Sequence, residues 1–176
     1  LMATAPDGTL HILGTDPLGI DTLSQLVYGG QISLLIAFSA TIIAAIVGPI
    51  MGVLAGYFGG FVDRIVTVLI DLQLAVPRIL IMVTVVAVFG PSIPLLILLI
   101  GLLGWAGFAR LVRSQAISLR TREFVEASVS MGAGRFRILR THIVPHTFNA
   151  IVVMASLELG QVVVIEAALS YLGLGV

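Results

Sequence analysis

ISLLIAFSATIIAAIVGPIMGVLAGYFGGFV, residues 32–62, contains no charged side chain. A helix needs about 20 consecutive apolar residues to cross the hydrocarbon core of a bilayer, so a span is expected here, at about 32–57. Gly59 and Gly60 then mark a turn, followed by Asp63 and Arg64. Inside the stretch Ala40, Ala44, Gly48, Gly52, Gly56 and Gly60 recur at intervals of four. That interval keeps side chains on one helix face, and a stripe of small residues lets a second helix backbone come close. The stripe serves either packing inside one bundle or a dimer seam. On both readings this face meets protein and not lipid alone.

The pattern repeats outward. A second apolar run covers 65–89, with Asp71, Pro77 and Arg78 in its first half. Gly90-Pro91-Ser92-Ile93-Pro94 makes a tight turn, and further runs cover 94–117 and 145–169. Of the 176 residues 59% are hydrophobic and 10% charged, and the mean hydropathy is +1.16. Soluble domains carry about 25% charged residues, and so short a chain has too little interior to hide this much apolar surface. The expected fold is an all-α polytopic transmembrane helical bundle with four spans. Residues 1–30 are polar instead, with turns at Pro6-Asp7-Gly8 and Asp16-Pro17-Leu18-Gly19. They lack the basic-then-apolar order of a secretory signal. The reading therefore expects a fragment, with an earlier helix removed before residue 1.

Cysteine is absent, which excludes disulfides, thiolate catalysis and cysteine-based zinc sites. Lysine is absent as well, so no Walker A phosphate loop exists, because its glycines lead into a lysine. All nine basic residues are arginines, and they are unevenly placed. Arg64 falls between the first two spans, and Arg120, Arg122, Arg135, Arg137 and Arg140 fall between the last two. Residues 1–30, 90–94 and the C-terminal end have none. Cytoplasmic loops gather arginine, so 58–64 and 118–142 are expected inside and 1–30 outside.

Ionisable side chains within spans are costly, and usually meet a partner or a water-filled path. Asp71 and Arg78 lie seven apart, on roughly one face of a continuous helix. They read as a pathway or gating ion pair, or as boundary residues with Arg78 snorkelling to the interface. Glu158, in the middle of the fourth span, is a candidate for the pathway or for an interhelix hydrogen bond. His142 and His146 have the i, i+4 spacing of metal ligands, but Pro145 stands between them and no carboxylate is close in sequence. They read as interfacial polar residues, and no metal site is expected. No G-x-S-x-G nucleophile motif occurs.

In the loop 118–144, Thr121 is placed to cap a helix, with Glu123 in its favourable first turn. Phe124, Ser128 and Met131 share a face, and Gly132 supplies a left-handed stop. Phe136, Leu139 and Ile143 line a second short pattern with arginines opposite. Such an element is either an interfacial amphipathic loop or a helix presented to a cytoplasmic partner.

Glu126-Ala127-Ser128, then Gly132, then Ile143-Val144-Pro145 resembles the EAA motif of ABC importer permeases. Ser128 replaces the third alanine, Val144 stands where leucine is usual, and the spacing to Ile143 is one residue longer. HILGTDPLGIDTLSQLVYG, residues 11–29, is similar to the segment before the second helix in the C-type subunit of dipeptide, oligopeptide and nickel permeases. Ile20 and Gln25 stand there in place of the usual arginines. EAALSYLGLG, residues 166–175, resembles that group's closing motif.

The resemblance implies the type I ABC importer permease fold, six helices in the intact subunit, and the second to fifth of them here. Residues 1–30 are then an extracytoplasmic segment, and 31–176 a truncated transmembrane domain. It implies that Glu123, Glu126, Ala127, Ser128, Gly132, Ile143 and Pro145 belong to a coupling element that docks on an ATP-binding subunit. It implies inward passage of di- or oligopeptides, nickel or a similar solute, by alternating access across a bacterial inner membrane. Its partners are a second permease subunit, two ATPase subunits that hold the ATP and magnesium, and an extracytoplasmic solute-binding protein. The chain itself is then no enzyme and carries no cofactor. The rival is a channel or another non-ABC helical membrane protein, which has no ATPase dock.

Overall fold

The computed structural model describes residues 3–4, 10–11, 13–16 and 19–175. The chain forms two compact units, Leu1–Ile36 and Ala37–Val176. In the first, β1 (Ala3–Thr4) pairs antiparallel with β2 (Leu10–His11). The turn expected at Pro6-Asp7-Gly8 lies outside the described residues. At the second turn the Gly19 N–H donates to the Asp16 carbonyl at 3.0 Å. The Asp16 carboxylate accepts from the Ile20 N–H at 2.9 Å and from the Gln25 amide at 3.2 Å. The Asp21 carboxylate takes the Ser24 N–H (3.0 Å) and hydroxyl (2.7 Å), which caps α1, Thr22–Phe58. The helix thus starts ten residues before the expected span, directly after Asp21. A cap, and not hydrophobicity, sets its beginning.

The second unit continues with α2 (Gly60–Ala75), α3 (Arg78–Phe89), α4 (Ile93–Arg120), α5 (Glu123–Ser130) and α6 (Arg135–Ile138). A π-helical turn, Leu139–Ile143, leads into α7, Val144–Tyr171. Among the described residues, three helices are long and apolar enough to cross a membrane: α1, α4 and the run Arg135–Tyr171. The segment expected as one straight span over 65–89 is two helices instead, α2 and α3, bent by 75°. Proline explains the break. Pro77 has no N–H to continue a helix, and it drives the residue before it out of the helical region. Val76 accordingly sits at φ −101°, ψ 127°.

The α4 helix is the common neighbour. Its buried side chains include Leu96, Ile100, Phe108, Val112 and Ala116. The small-residue stripe of α1 lies on it. A Cβ built on Gly52 would stand 2.5 Å from the Ala109 carbonyl oxygen, and one on Gly56 would stand 2.6 Å from Ala116 Cβ. Gly48 faces Trp105 and Phe108, and Ala40 and Ala44 continue the seam opposite Gly101 and Gly104. The stripe is therefore packing within the chain. Gly60 does not belong to it: α1 ends at Phe58, and Gly60 begins α2 at φ 55° with nothing within 4 Å. On the other side of α1, Ile42, Ile46 and Ile50 are each more than half exposed. An apolar stripe left open in this way belongs against lipid or another chain.

Candidate functional site

The break in the second span opens a cavity of about 310 Å³. Gln73, Arg78, Gly104, Met154, Glu158 and Gln161 line it, from α2, α3, α4 and α7. Arg78 is the first residue of α3, and its Nη2 donates to Glu158 Oε1 at 3.0 Å. The Glu158 side chain is 4% exposed and that of Arg78 26%. Gly104 makes room for this pair, because a Cβ there would stand 3.1 Å from Glu158 Oε1. The Gln73 amide donates to the Leu103 carbonyl at 2.7 Å and ties the end of α2 to α4. By its count of helical rise from residue 144, Glu158 lies about 21 Å along α7, near the middle of that helix.

Asp71 and Arg78 do not pair with each other. The break at Pro77 ends the helix on which they would share a face. Asp71 meets Arg110 of α4 at 3.5 Å, with both side chains mostly exposed. One turn nearer the loop, Arg113 of α4 grips Asp63 of α2 through two hydrogen bonds, one of them at 2.8 Å. Asp63, Arg110, Arg113 and Gln73 were not singled out from the sequence. The signal available for the first three was charge complementarity, acidic residues on one helix and arginines on the next.

The second candidate region is the loop. Thr121 does not cap α5: its hydroxyl donates backward to the Ser118 carbonyl at 3.1 Å, and Arg122 occupies the cap position without a side-chain bond. Glu123 and Glu126 stand in the first turn, where the helix dipole favours them. The buried face of α5 is Val125 and Ser128, while Met131 is 80% exposed, so the expected Phe124–Ser128–Met131 face is only partly realised. Val125 packs with Val112 and Ala116 of α4 and with Ile138 and Ile143. Gly132 sits at φ 81°. Its N–H donates to the Val129 carbonyl (2.9 Å), and the Ala133 N–H donates to the Ser128 carbonyl (3.0 Å). Those two bonds are a Schellman stop, which needs a left-handed residue.

The π turn then changes the register. Ile138 and Ile143, five apart, turn inward, while Phe136 is 77% exposed. The face expected from Phe136, Leu139 and Ile143 assumes α spacing, which the turn breaks. Pro145, exposed, lies in the first turn of α7. Ser128 Oγ donates to the Phe124 carbonyl at 2.9 Å and lies 3.0 Å from His142 Nε2. With its proton so used, Oγ accepts from a His142 that carries hydrogen on Nε2. The Phe124 ring stacks on His146 at 5.2 Å between centroids. Both histidines thus pin α5 to the start of α7. Ala127, Glu123 and Glu126 remain exposed. A short helix anchored by its inner face to α4 and α7 and charged on its outer face can take a load from a partner and pass it into two long helices.

Residues 48–176 match the family described as binding-protein-dependent transport system inner membrane component. The chain is 39% identical over 165 residues to the dipeptide transport system permease protein DppC of Alkalihalophilus pseudofirmus, covering 94% of this chain and 54% of that protein. It is equally similar, with the same coverage, to the glutathione transport system permease protein GsiD of Escherichia coli. The Bacillus subtilis DppC is 36% identical, with 97% of this chain and 53% of the relative covered. The chain thus spans about half the length of these relatives. Among solved structures, a chain of the inward-facing MetNI methionine ABC transporter superposes with a TM-score of 0.72. At 23% identity, over 87% of this chain and 76% of that one, the likeness is one of fold. Together with four apolar helical segments and a loop helix anchored between two of them, these matches place the chain among the binding-protein-dependent transport system inner membrane components.

Proposed function

We propose that this chain is the core of a permease subunit that passes a small peptide or peptide-like solute into a bacterial cell by alternating access. The observation that carries the reading is α5. Its inner face is locked to α4 and to the π turn that leads into α7, through Val125 and the Ser128–His142 contact, and its outer face shows Glu123, Glu126 and Ala127. That is the form of a docking helix read by a groove on a partner. Arginine placement supports a cytoplasmic position for the same loop, and puts residues 1–30 outside. The names of the relatives, dipeptide and glutathione transport permeases, support a peptide-like solute.

In this reading ATP and magnesium are bound by two cytoplasmic ATPase subunits. A second permease subunit completes the pathway, and an extracytoplasmic binding protein delivers the solute. Closure of the ATPases displaces α5, and α4 and α7 follow through the Val125 packing and the Ser128–His142 and Phe124–His146 contacts. The cavity at the α2–α3 break lies on the moving helices and serves as part of the path, with Arg78 and Glu158 in its wall. Asp71, held by Arg110, acts outside it.

The test uses the full-length subunit with its partners in proteoliposomes. Gly132→Val and Glu126→Lys are expected to leave membrane insertion intact, and to lower both ATPase co-purification and ATP-driven uptake. Normal ATPase binding and parental uptake in both variants would overturn the reading. Solute flux that needs no ATP would favour the channel.

A further inference from the structure

We propose that the cavity at the α2–α3 break recognises a zwitterionic solute, with Arg78 taking its carboxylate and Glu158 its ammonium group. The proposal rests on the permease reading and adds the chemistry of what passes. Glu158 is almost fully withdrawn from solvent, and among the described residues it is hydrogen-bonded to Arg78 at 3.0 Å. A carboxylate so placed needs a cation beside it to remain charged, and removing one member of such a pair strands the other. Both groups line the cavity. A solute that enters it therefore meets the ion pair itself.

Charge balance then selects the solute. An anion that takes Arg78 leaves Glu158 uncompensated. A cation that takes Glu158 leaves Arg78 stranded. A molecule with one carboxylate and one ammonium group replaces both contacts and leaves no charge unpaired. The helix ends at the break agree in sign: the start of α3 beside Arg78 is partially positive, and the end of α2 partially negative. Gln73 and Gln161 add neutral polar groups to the wall. The volume lies at the low end of the range for small-ligand sites, about 300–1,000 Å³, which suits a dipeptide and not a long chain.

The experiment compares uptake by the full-length subunit, in its assembled complex, in proteoliposomes. The probes are radiolabelled alanylalanine, its N-acetyl derivative (anionic) and its C-terminal amide (cationic). The parent is expected to prefer alanylalanine by about tenfold or more, as the loss of a charge-assisted hydrogen bond implies. Arg78→Gln is expected to shift preference toward the amide, and Glu158→Gln toward the N-acetyl form. The binding protein is the same throughout, so a shift between variants reports on the cavity. Arg78→Gln/Glu158→Gln, which removes both charges at once, is the variant least at risk of misassembly and is expected to lose the preference. The proposal falls if the parent is indifferent to capping, or refuses alanylalanine while importing another solute. It falls also if the singles keep the parental order, or, where the singles do not assemble, if the double does. Loss of ATP dependence in every form, the parent included, would instead sink the permease reading.

Discussion

Arg113 of α4 holds Asp63 of α2 through two parallel N–H···O bonds, Nε to Oδ1 and Nη2 to Oδ2. Both side chains are about three-quarters buried, so the pair is shielded more than a surface bridge. Asp63→Asn is expected to lower stability by about 1.5–3 kcal/mol, the range for a hydrogen bond to a charged group. Arg113→Lys keeps the charge but not the fork, and should lose about half as much. Breaking the exposed Asp71–Arg110 contact with Arg110→Ala should cost about 0–1 kcal/mol. Thermal unfolding of the detergent-solubilised complex ranks the three, and an equal loss in all would show that burial does not set their strength.

Gly52 and Gly60 look alike in the sequence and differ in the fold. Gly52→Leu forces a side chain into the Ala109 backbone, and overpacking of this kind costs about 1–3 kcal/mol. Lower assembly and yield should follow. Gly60→Ala meets no neighbour, and pays only for its left-handed backbone, about 1–2 kcal/mol. Yield of correctly assembled complex is the measurement. Normal assembly of the Gly52 variant would mean that α1 does not lie on α4.

Two glycines bracket the loop stop, at 132 and 134. Gly132 has φ 81° and Gly134 φ −67°. Gly132→Ala should destabilise the stop by about 1–2 kcal/mol, because a side chain resists the left-handed region. Gly134→Ala should change little, since its backbone is open to any residue and its Cβ has space. Hydrogen exchange at the Ala133 and Gly132 amides distinguishes them: faster exchange only in the Gly132 variant is the expected result.

Sidedness has its own check. Ser92, in the turn before α4, and Ser130, at the end of α5, are both exposed, and the chain has no cysteine. An impermeant thiol reagent outside sealed cells should label Ser92→Cys and not Ser130→Cys in the intact subunit. Labelling of position 130 from outside would reverse the orientation.

The helices were legible because their evidence is local. Apolar runs located α4 and α7 to within a few residues, and Gly132 announced its own backbone angle. The small stripe on α1 was legible as a contact face, though its partner, α4, was not. What escaped is tertiary. Pro77 was in plain view, but proline inside a membrane helix is often tolerated, so composition does not separate a kink from a 75° break. Once the helix breaks, the i, i+7 argument that joined Asp71 to Arg78 no longer applies. Glu158, the actual partner of Arg78, lies 80 residues away, beyond any periodicity. The π turn escaped for a related reason. Its hydrogen bonds are set by packing around Ile138 and Ile143, and no residue type marks them.

The Arg78–Glu158 pair also has an electrical meaning. A single charge moved through the full membrane field does work of about 2.3 kcal/mol per 100 mV. If these helices move across the membrane as proposed, an arginine or a glutamate alone would tie that movement to the cell's voltage. Travelling together, the two carry no net charge through the field, and that work cancels. A zwitterion in their place preserves the cancellation. In the proposed alternating-access cycle, this pair then adds no voltage dependence of its own.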